Sequence, residues 1–243
     1  MNKKIIMILG ASSDLGVALI KNIEEQFDVI IAHYNKSDER LKLLKNEIGE
    51  KLHIVKGDFS DISAIDEFII KAKLICEWPT HIVHLPAQKV EYCKFTKTNW
   101  NDVERDMTIQ AGSIYKILSY YIDKMAKNKY GKVVIMLSSN TISAPKYMAH
   151  YTIVKYALLG LMKSLAAEYS EKSININAVS PSMIETSFLS KLPHLVVEQT
   201  AKGNPMKRNA LVGDVIPAII FLLSDKADYI SGENIVISGG SVL

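Results

Sequence analysis

Ser138, Tyr151 and Lys155 fall within one stretch, SSNTISAPKYMAHYTIVK, and are residue types that together can manage a proton on an alcohol oxygen. The spacing of Val154, Leu158, Leu161 and Leu165 predicts a helix that Tyr151 opens. Tyr151 and Lys155, four positions apart, then share a face. A phenol titrates near pH ~10 in water, and an ammonium fixed about 4–6 Å away favours the phenolate, so Tyr151 can trade a proton with an alcohol. Ser138 closes the apolar run Val133-Val134-Ile135-Met136-Leu137 and is expected at the tip of a buried strand, its hydroxyl aimed at the same oxygen. Strand tips beside helix starts are where open α/β sheets take ligands. By itself a Tyr-x-x-x-Lys pair is also an ordinary helix-surface pair.

The elements that must position these groups begin at Lys4–Leu9, a short apolar run that reads as a buried parallel strand. Gly10-Ala-Ser12-Ser13-Asp14-Leu15-Gly16 follows and leads into the periodic Leu19, Ile20 and Ile23. Strand, glycine turn and helix start make an anion site, because free amides and the positive end of the helix dipole face the turn. Asp14 is costly beside a phosphate but suits a helix cap. Val29–Ala32 is a second strand, followed by His33, Tyr34, Asn35 and Lys36. A dinucleotide fold selects its cofactor here, an acid suiting the ribose diol of NAD and a basic residue the 2′-phosphate of NADP. No acid stands from His33 to Lys36, which favours NADP over NAD with Lys36 or His33 as phosphate partner; Lys36 also reads as a solvated charge.

Leu52–Lys56, His81–Leu85 and Ile174–Val179 read as further strands, with helices over Ile62–Ile75 behind an Asp61 cap, Trp100–Asn128 and Val212–Leu223. The serine, tyrosine and lysine, in register with Gly10 and Gly16, resemble the short-chain dehydrogenase/reductase family, in the pattern of its 3-oxoacyl-(acyl-carrier-protein) reductases, over essentially the whole chain. The resemblance implies a Rossmann-like, doubly wound parallel sheet of about seven strands with helices on both faces. It implies a single NAD(P)-binding domain over residues 1–243, with a segment at about 183–205 that closes over substrate. By the same likeness Ser138 polarises a carbonyl, Tyr151 is the general acid/base, and Lys155 lowers the Tyr151 pKa and holds a ribose.

The resemblance also implies a cofactor groove. It runs along Gly10, Ser12, Ser13, Asp14, Leu15 and Gly16, past Tyr34, Asn35 and Lys36, to Asp58 and Phe59 at the adenine. Pro86 and Ala87 lie along it, Pro181 shapes the nicotinamide pocket, the Ile184 backbone meets the carboxamide, and Thr186 binds the carboxamide or a phosphate. Gln110 falls where the family has a proton-relay asparagine. The chain departs from the family pattern at Asp14, at His84-Leu85-Pro86-Ala87 in place of Asn-Asn-Ala-Gly, at Gln110, and at Ser182 in place of a glycine.

With 243 residues, 48% hydrophobic and 23% charged, the chain is an ordinary globular protein and not a disordered one. A formal net charge of +3 without a basic block argues against nucleic acid as a partner. Cys76 and Cys93 do not make a disulfide framework, and the six histidines form no metal-ligand spacing. The apolar runs are too short for a secretory or membrane-spanning segment, so the expected setting is the cytoplasm.

The expected activity is reversible hydride transfer between the cofactor and a small carbonyl or secondary alcohol. Lys89, Lys94 and Lys97 near the mouth, or Lys127, Lys129 and Lys172 on a rim, would suit an acidic or carrier-bound substrate; as solvated lysines they need no partner. A homotetramer or homodimer follows from the resemblance alone. Two rivals stand beside this reading: a cofactor-binding sensor or scaffold without turnover, supported by the departures, and a nucleotide-sugar dehydratase or epimerase, disfavoured because the chain ends soon after its seventh strand.

Overall fold

The computed structural model describes residues 3–242. Seven strands form its sheet: β1 (Ile5–Leu9), β2 (Val29–Tyr34), β3 (Leu52–Lys56), β4 (His81–His84), β5 (Gly131–Met136), β6 (Ile174–Pro181) and β7 (Asn234–Ile237). Every neighbouring pair is parallel, in the order β3-β2-β1-β4-β5-β6-β7. Parallel pairing requires crossovers, and these put helices on both faces, which is why the central strands are apolar on both. Met7, Leu9, Ile82, Val133 and Ile135 point to α3 (Ile62–Ile75), α5 (Ser113–Lys127) and α6 (Ala149–Tyr169). Ile6, Ile8, Ile30, Val83 and Val134 point the other way, to α1 (Asp14–Ile23), α2 (Glu39–Ile48) and α8 (Val212–Leu223). The order reverses between β1 and β4, so the crevice at their carboxyl ends is where such a sheet takes ligands.

Three expectations are corrected. The helical run from Trp100 is α4 (Trp100–Met107) and α5, divided by a five-residue π turn at Thr108–Gly112. β2 runs on to Tyr34, so His33 is a strand residue whose side chain goes inward. Lys127 and Lys129 precede β5 and Lys172 precedes β6, which puts them at the amino ends of the strands, opposite Ser138. Among the described residues no helix is long and apolar enough to cross a membrane, and no group of three or more His, Cys, Asp or Glu side chains could hold a metal ion.

Gly16 fixes how closely α1 approaches the turn: a Cβ there would stand 2.5 Å from the Ala11 carbonyl oxygen and 2.6 Å from its Cα. Backbone cannot yield as a side-chain end can, so Gly16→Ala is expected to destabilise the protein by about 1–3 kcal/mol. A urea midpoint equal to that of the unchanged protein would refute this packing account.

Candidate active site

Ser138 follows β5 in an extended conformation, and its carbonyl accepts from the Thr141 amide at 2.9 Å and the Thr141 hydroxyl at 2.8 Å. These bonds turn the chain sharply at the strand tip and fix the serine. Across the tip, Lys155 on α6 is 1% exposed and donates from Nζ to the Met136 carbonyl at 2.9 Å. Tyr151, one helical turn earlier, is 8% exposed, with the Lys155 Nζ 5.4 Å from its ring centroid. Val90, Met148 and Leu192 pack around Tyr151, backed by Met183, Phe188, Leu189 and Val197.

Burial governs the protonation of this group. It pushes the Tyr151 phenol well above its ordinary value, the neighbouring Ser138 hydroxyl pulls it down, and Asp106 adds to the rise. Burial pushes Lys155 down to about 8, with Asp106 opposing. In the chain as it stands burial outweighs the Ser138 hydroxyl, so the phenol is held in its protonated, proton-donating form.

At the glycine turn Gly10 has φ +75°, and a Cβ on it would meet the Pro86 nitrogen at 3.1 Å and the Leu85 carbonyl carbon at 3.2 Å. The turn thus lies directly on the backbone leading to Pro86 and Ala87. Ser13, not Asp14, is the N-cap of α1: its Oγ accepts from the Gly16 amide at 3.1 Å. Asp14 is the first helical residue, and its carboxylate reaches outward. Oδ1 accepts from Arg40 Nη1 at 2.8 Å, while Oδ2 accepts from the amide and the hydroxyl of Ser187, each at 2.8 Å. Burial works against the Asp14 charge, but the two Ser187 bonds and Arg40 outweigh it and hold the carboxyl below its ordinary range. Among the described residues the amides of Ser12, Asp14 and Leu15 take no acceptor, which leaves them to an anion.

His33 cannot be a phosphate partner. It is buried, accepts from the Gly10 amide at Nδ1 (3.0 Å), pairs through Nε2 with the Gly57 carbonyl (2.9 Å), and stacks on Phe59 at 3.8 Å. Burial lowers its pKa to about 4, so it is neutral near pH 7. The same stack commits the Phe59 ring to the core, leaving only its backbone for the groove. Tyr34 and Asn35 follow at the β2 tip and Lys36 is exposed; Asn35 Nδ2 donates to Asp58 Oδ1 at 3.2 Å. Asp58 also accepts from the Ser60 amide at 3.0 Å, the bond that contributes most to keeping its carboxyl low. Pro181 ends β6, Ile184 bridges to Ala210, and the Thr186 hydroxyl donates to the Ile184 carbonyl at 3.4 Å.

The segment after Thr186 folds as a short 3₁₀ turn, Ser187–Lys191, and α7 (His194–Gly203). Lys89 donates to Ser190 Oγ at 2.8 Å, and Lys191 pairs with Glu91 at 3.0 Å. The loop after β4 and this segment thus meet over Tyr151. Leu192 is buried there, whereas Leu195 of the same apolar stripe is exposed.

A family model described as Enoyl-(Acyl carrier protein) reductase matches residues 10–241. The chain belongs to the short-chain dehydrogenase/reductase family. It is 34% identical over 143 residues to the 3-oxoacyl-(acyl-carrier-protein) reductase of Buchnera aphidicola subsp. Acyrthosiphon pisum, covering 59% of this chain and 57% of that protein. Over 99% of its length and 95% of the relative's, it is 28% identical to the oxidoreductase UcpA of Salmonella typhimurium. Among solved structures, the NADPH-dependent reductase YwfH superposes with a TM-score of 0.89 at 20% identity, covering 99% of both chains, and ElxO with NADP bound superposes at 0.88 with 23% identity, again covering 99% of both. At such identities these two show the shared fold.

As a short-chain dehydrogenase/reductase the chain is an oxidoreductase of the NAD(P)-dependent kind. Its departures from the family pattern have physical partners here: His84 is buried with Nε2 3.2 Å from Ser113 Oγ, and Gln110 Nε2 donates to Asp106 Oδ1 at 2.8 Å. Asp106, Arg40 and Ser187 were not singled out from the sequence. Only the four-residue step from Asp106 to Gln110 along one helical stretch marked the first of them.

If Asp14 ties Ser187 to the turn, Asp14→Ala is expected to speed amide hydrogen exchange severalfold across 187–191 while leaving β1 and β5 protected. Because the folded carboxyl is held low, the tie is present above the ordinary aspartate value near pH ~3.9 and is lost as pH falls through the lower folded value. Unchanged exchange at 187–191 in the variant would refute it.

Proposed function

We propose that this oxidoreductase reduces, reversibly, the carbonyl of a small apolar ketone or a 3-oxoacyl thioester with NADP as preferred cofactor. The observation that carries the reading is the convergence of Ser138, Tyr151 and the buried Lys155 at the β5 tip, beneath apolar side chains. The residues fit a dinucleotide. Ser12, Asp14 and Leu15 offer unclaimed amides at a helix start, Arg40 neutralises the acid beside them, and a Cβ at Gly10 would strike the backbone beyond β4. Lys155 keeps two Nζ hydrogens beyond the one given to Met136, enough for ribose hydroxyls. NADP is preferred because no acid stands from His33 to Lys36 and Lys36 is exposed; the NADP bound to ElxO and the NADPH dependence of YwfH agree with it.

When bound, the nicotinamide supplies a hydride to the carbonyl carbon. The chain's own work is on the oxygen. Ser138 Oγ donates a hydrogen bond to it and polarises the carbonyl. Tyr151, kept protonated by burial, gives its proton to the developing alkoxide, and the Lys155 ammonium offsets the negative charge left on the phenol. Val90, Met148, Leu192 and their neighbours exclude water, which strengthens these interactions. The segment at about 183–205 closes the site, with Lys89–Ser190 and Glu91–Lys191 as its ties. Lys89 and Lys94 beside that mouth suit a carrier-bound acyl chain. Assembly into a homotetramer or homodimer is part of the reading, with the exposed Trp100, Tyr115, Ile153 and Tyr156 as the surface to be covered.

Purified protein assayed with NADPH and NADH against ketones and 3-oxoacyl thioesters is expected to oxidise NADPH faster. Tyr151→Phe is expected to lose at least about 100-fold in kcat, with the Kd for NADPH within a few-fold. Near-normal turnover in that variant would sink the proton-transfer role.

A further inference from the structure

A 3₁₀ turn, Ser139–Thr141, leads away from Ser138, and its middle residue carries a side chain that the mechanism above does not use. The Asn140 amide donates to Ser138 Oγ at 3.3 Å, which leaves that hydroxyl its own hydrogen to give. Asn140 therefore leaves the backbone beside the group that meets the reacting oxygen. Its half-buried carboxamide reaches on to the start of α6, where Nδ2 donates to Met148 Sδ at 3.8 Å. A thioether is a weak acceptor, and among the described residues this is the one hydrogen bond of the Asn140 side chain. Met148 belongs to the apolar cluster around Tyr151, with Val90 and Leu192. Its seat is strained. Tyr147 before it has φ 64°, a left-handed conformation that residues other than glycine rarely adopt, and the Tyr147 carbonyl accepts from the Cys93 amide at 2.9 Å. That corner joins the loop after β4 to α6 and sets Met148, 5% exposed, where Asn140 reaches it. Strain of this kind persists only where the surroundings enforce it, and it collects at ligand sites.

We propose that Asn140 is a specificity-determining residue: its Nδ2 reads a second oxygen on the substrate, so the ketone reduced here carries a carbonyl or hydroxyl oxygen within two carbons of the one that reacts. The proposal rests on the reductase reading above and deepens it, selecting oxygenated ketones over simple ones. The exchange is favourable because an N–H to oxygen bond replaces an N–H to sulfur bond. Met148 is unbranched and turns about three bonds, so its sulfur can give way without disturbing the fold. A ketone without the second oxygen has the opposite effect. It lays a methyl group over a carboxamide already half withdrawn from water, and covering a polar group without pairing it costs binding.

Two pairs of ketones of matched shape measure this: acetylacetone against methyl isobutyl ketone, and hydroxyacetone against butanone, each pair exchanging one oxygen for a methyl group. In kcat/KM with NADPH the oxygenated member is expected to lead by about tenfold, the equivalent of ~1.4 kcal/mol. Asn140→Leu is expected to bring both ratios to about one, because it removes the amide. Asn140→Asp, which keeps the shape but has no donor there, is expected to do the same for the acetylacetone pair. A fall in kcat/KM common to both members, with the ratios kept, would show that Asn140 only pins the turn to α6, and would overturn the proposal. A readout without turnover separates this idea from the reductase reading. In the presence of oxidised NADP no ketone can be reduced, and the Kd of each is read by ligand-observed NMR on the full-length protein. A preference of about tenfold that Asn140→Leu abolishes supports second-oxygen recognition even if NADPH is never oxidised, in which case the reductase reading alone fails. Equal Kd values in the unchanged protein, or no binding of either ketone, overturn it whatever the activity.

Discussion

An ammonium almost wholly withdrawn from water is the constraint around which the site is assembled. Lys155 is 1% exposed, and among the described residues its one hydrogen bond goes to the carbonyl of Met136, the last residue of β5. Burying such a charge costs several kcal/mol unless polar groups meet it, so α6 can cross the strand tip only at the height where Nζ reaches that carbonyl. Once that height is set, the residue one turn earlier, Tyr151, must stand beside Ser138. The β5·β6 pairing from Gly131↔Ile174 to Met136↔Val179 and the helix between them thus fix a proton donor relative to a strand end.

The polar groups at the neighbouring strand tips are organised by the same need. His33 accepts from the Gly10 amide at Nδ1, so its proton sits on Nε2 and is donated to the Gly57 carbonyl. One neutral imidazole therefore joins the tips of β1, β2 and β3, and burial keeps it neutral. His84 stands at the β4 tip, also held neutral by burial, where the family pattern has asparagine. His33 supplies backbone anchoring from a rigid ring, whereas His84 pairs with the Ser113 hydroxyl on α5. The acid in the glycine turn is likewise balanced: Asp14 spends its charge on Arg40 and its remaining acceptor capacity on Ser187.

Those bonds also tie the two sides of the crevice together. Asp14 links the turn to the segment after β6, and Lys89 and Glu91 link the loop after β4 to the same segment. The contacts are exposed and polar, and such bonds exchange with water at little net cost. Beneath them lies the apolar cluster of Val90, Met148, Tyr151 and Leu192.

Much of this was legible in the chain itself, because it follows from local pattern. Short apolar runs followed by turn residues marked the first six strands of the parallel sheet, the seventh following from the family resemblance, and the Asp61 cap was readable from its place before Ile62–Ile75. Ser138 at a strand end and Tyr151 four positions before Lys155 were likewise matters of spacing. What local pattern does not carry is which side chain loses its water and what meets it there. Asp14 and Ser187 are 173 positions apart, and no periodicity links them. His33 sits where a phosphate partner was sought, yet the extension of β2 turns it into the core. Lys127, Lys129 and Lys172 looked like a rim until the strand direction put them at the far end of the sheet. Desolvation, which raises Tyr151 and lowers Lys155, is a property of the packed interior. The sequence by itself determined the residue types and their order along the sheet; only the tertiary structure decided their charges, because a charge is set by the water that packing removes.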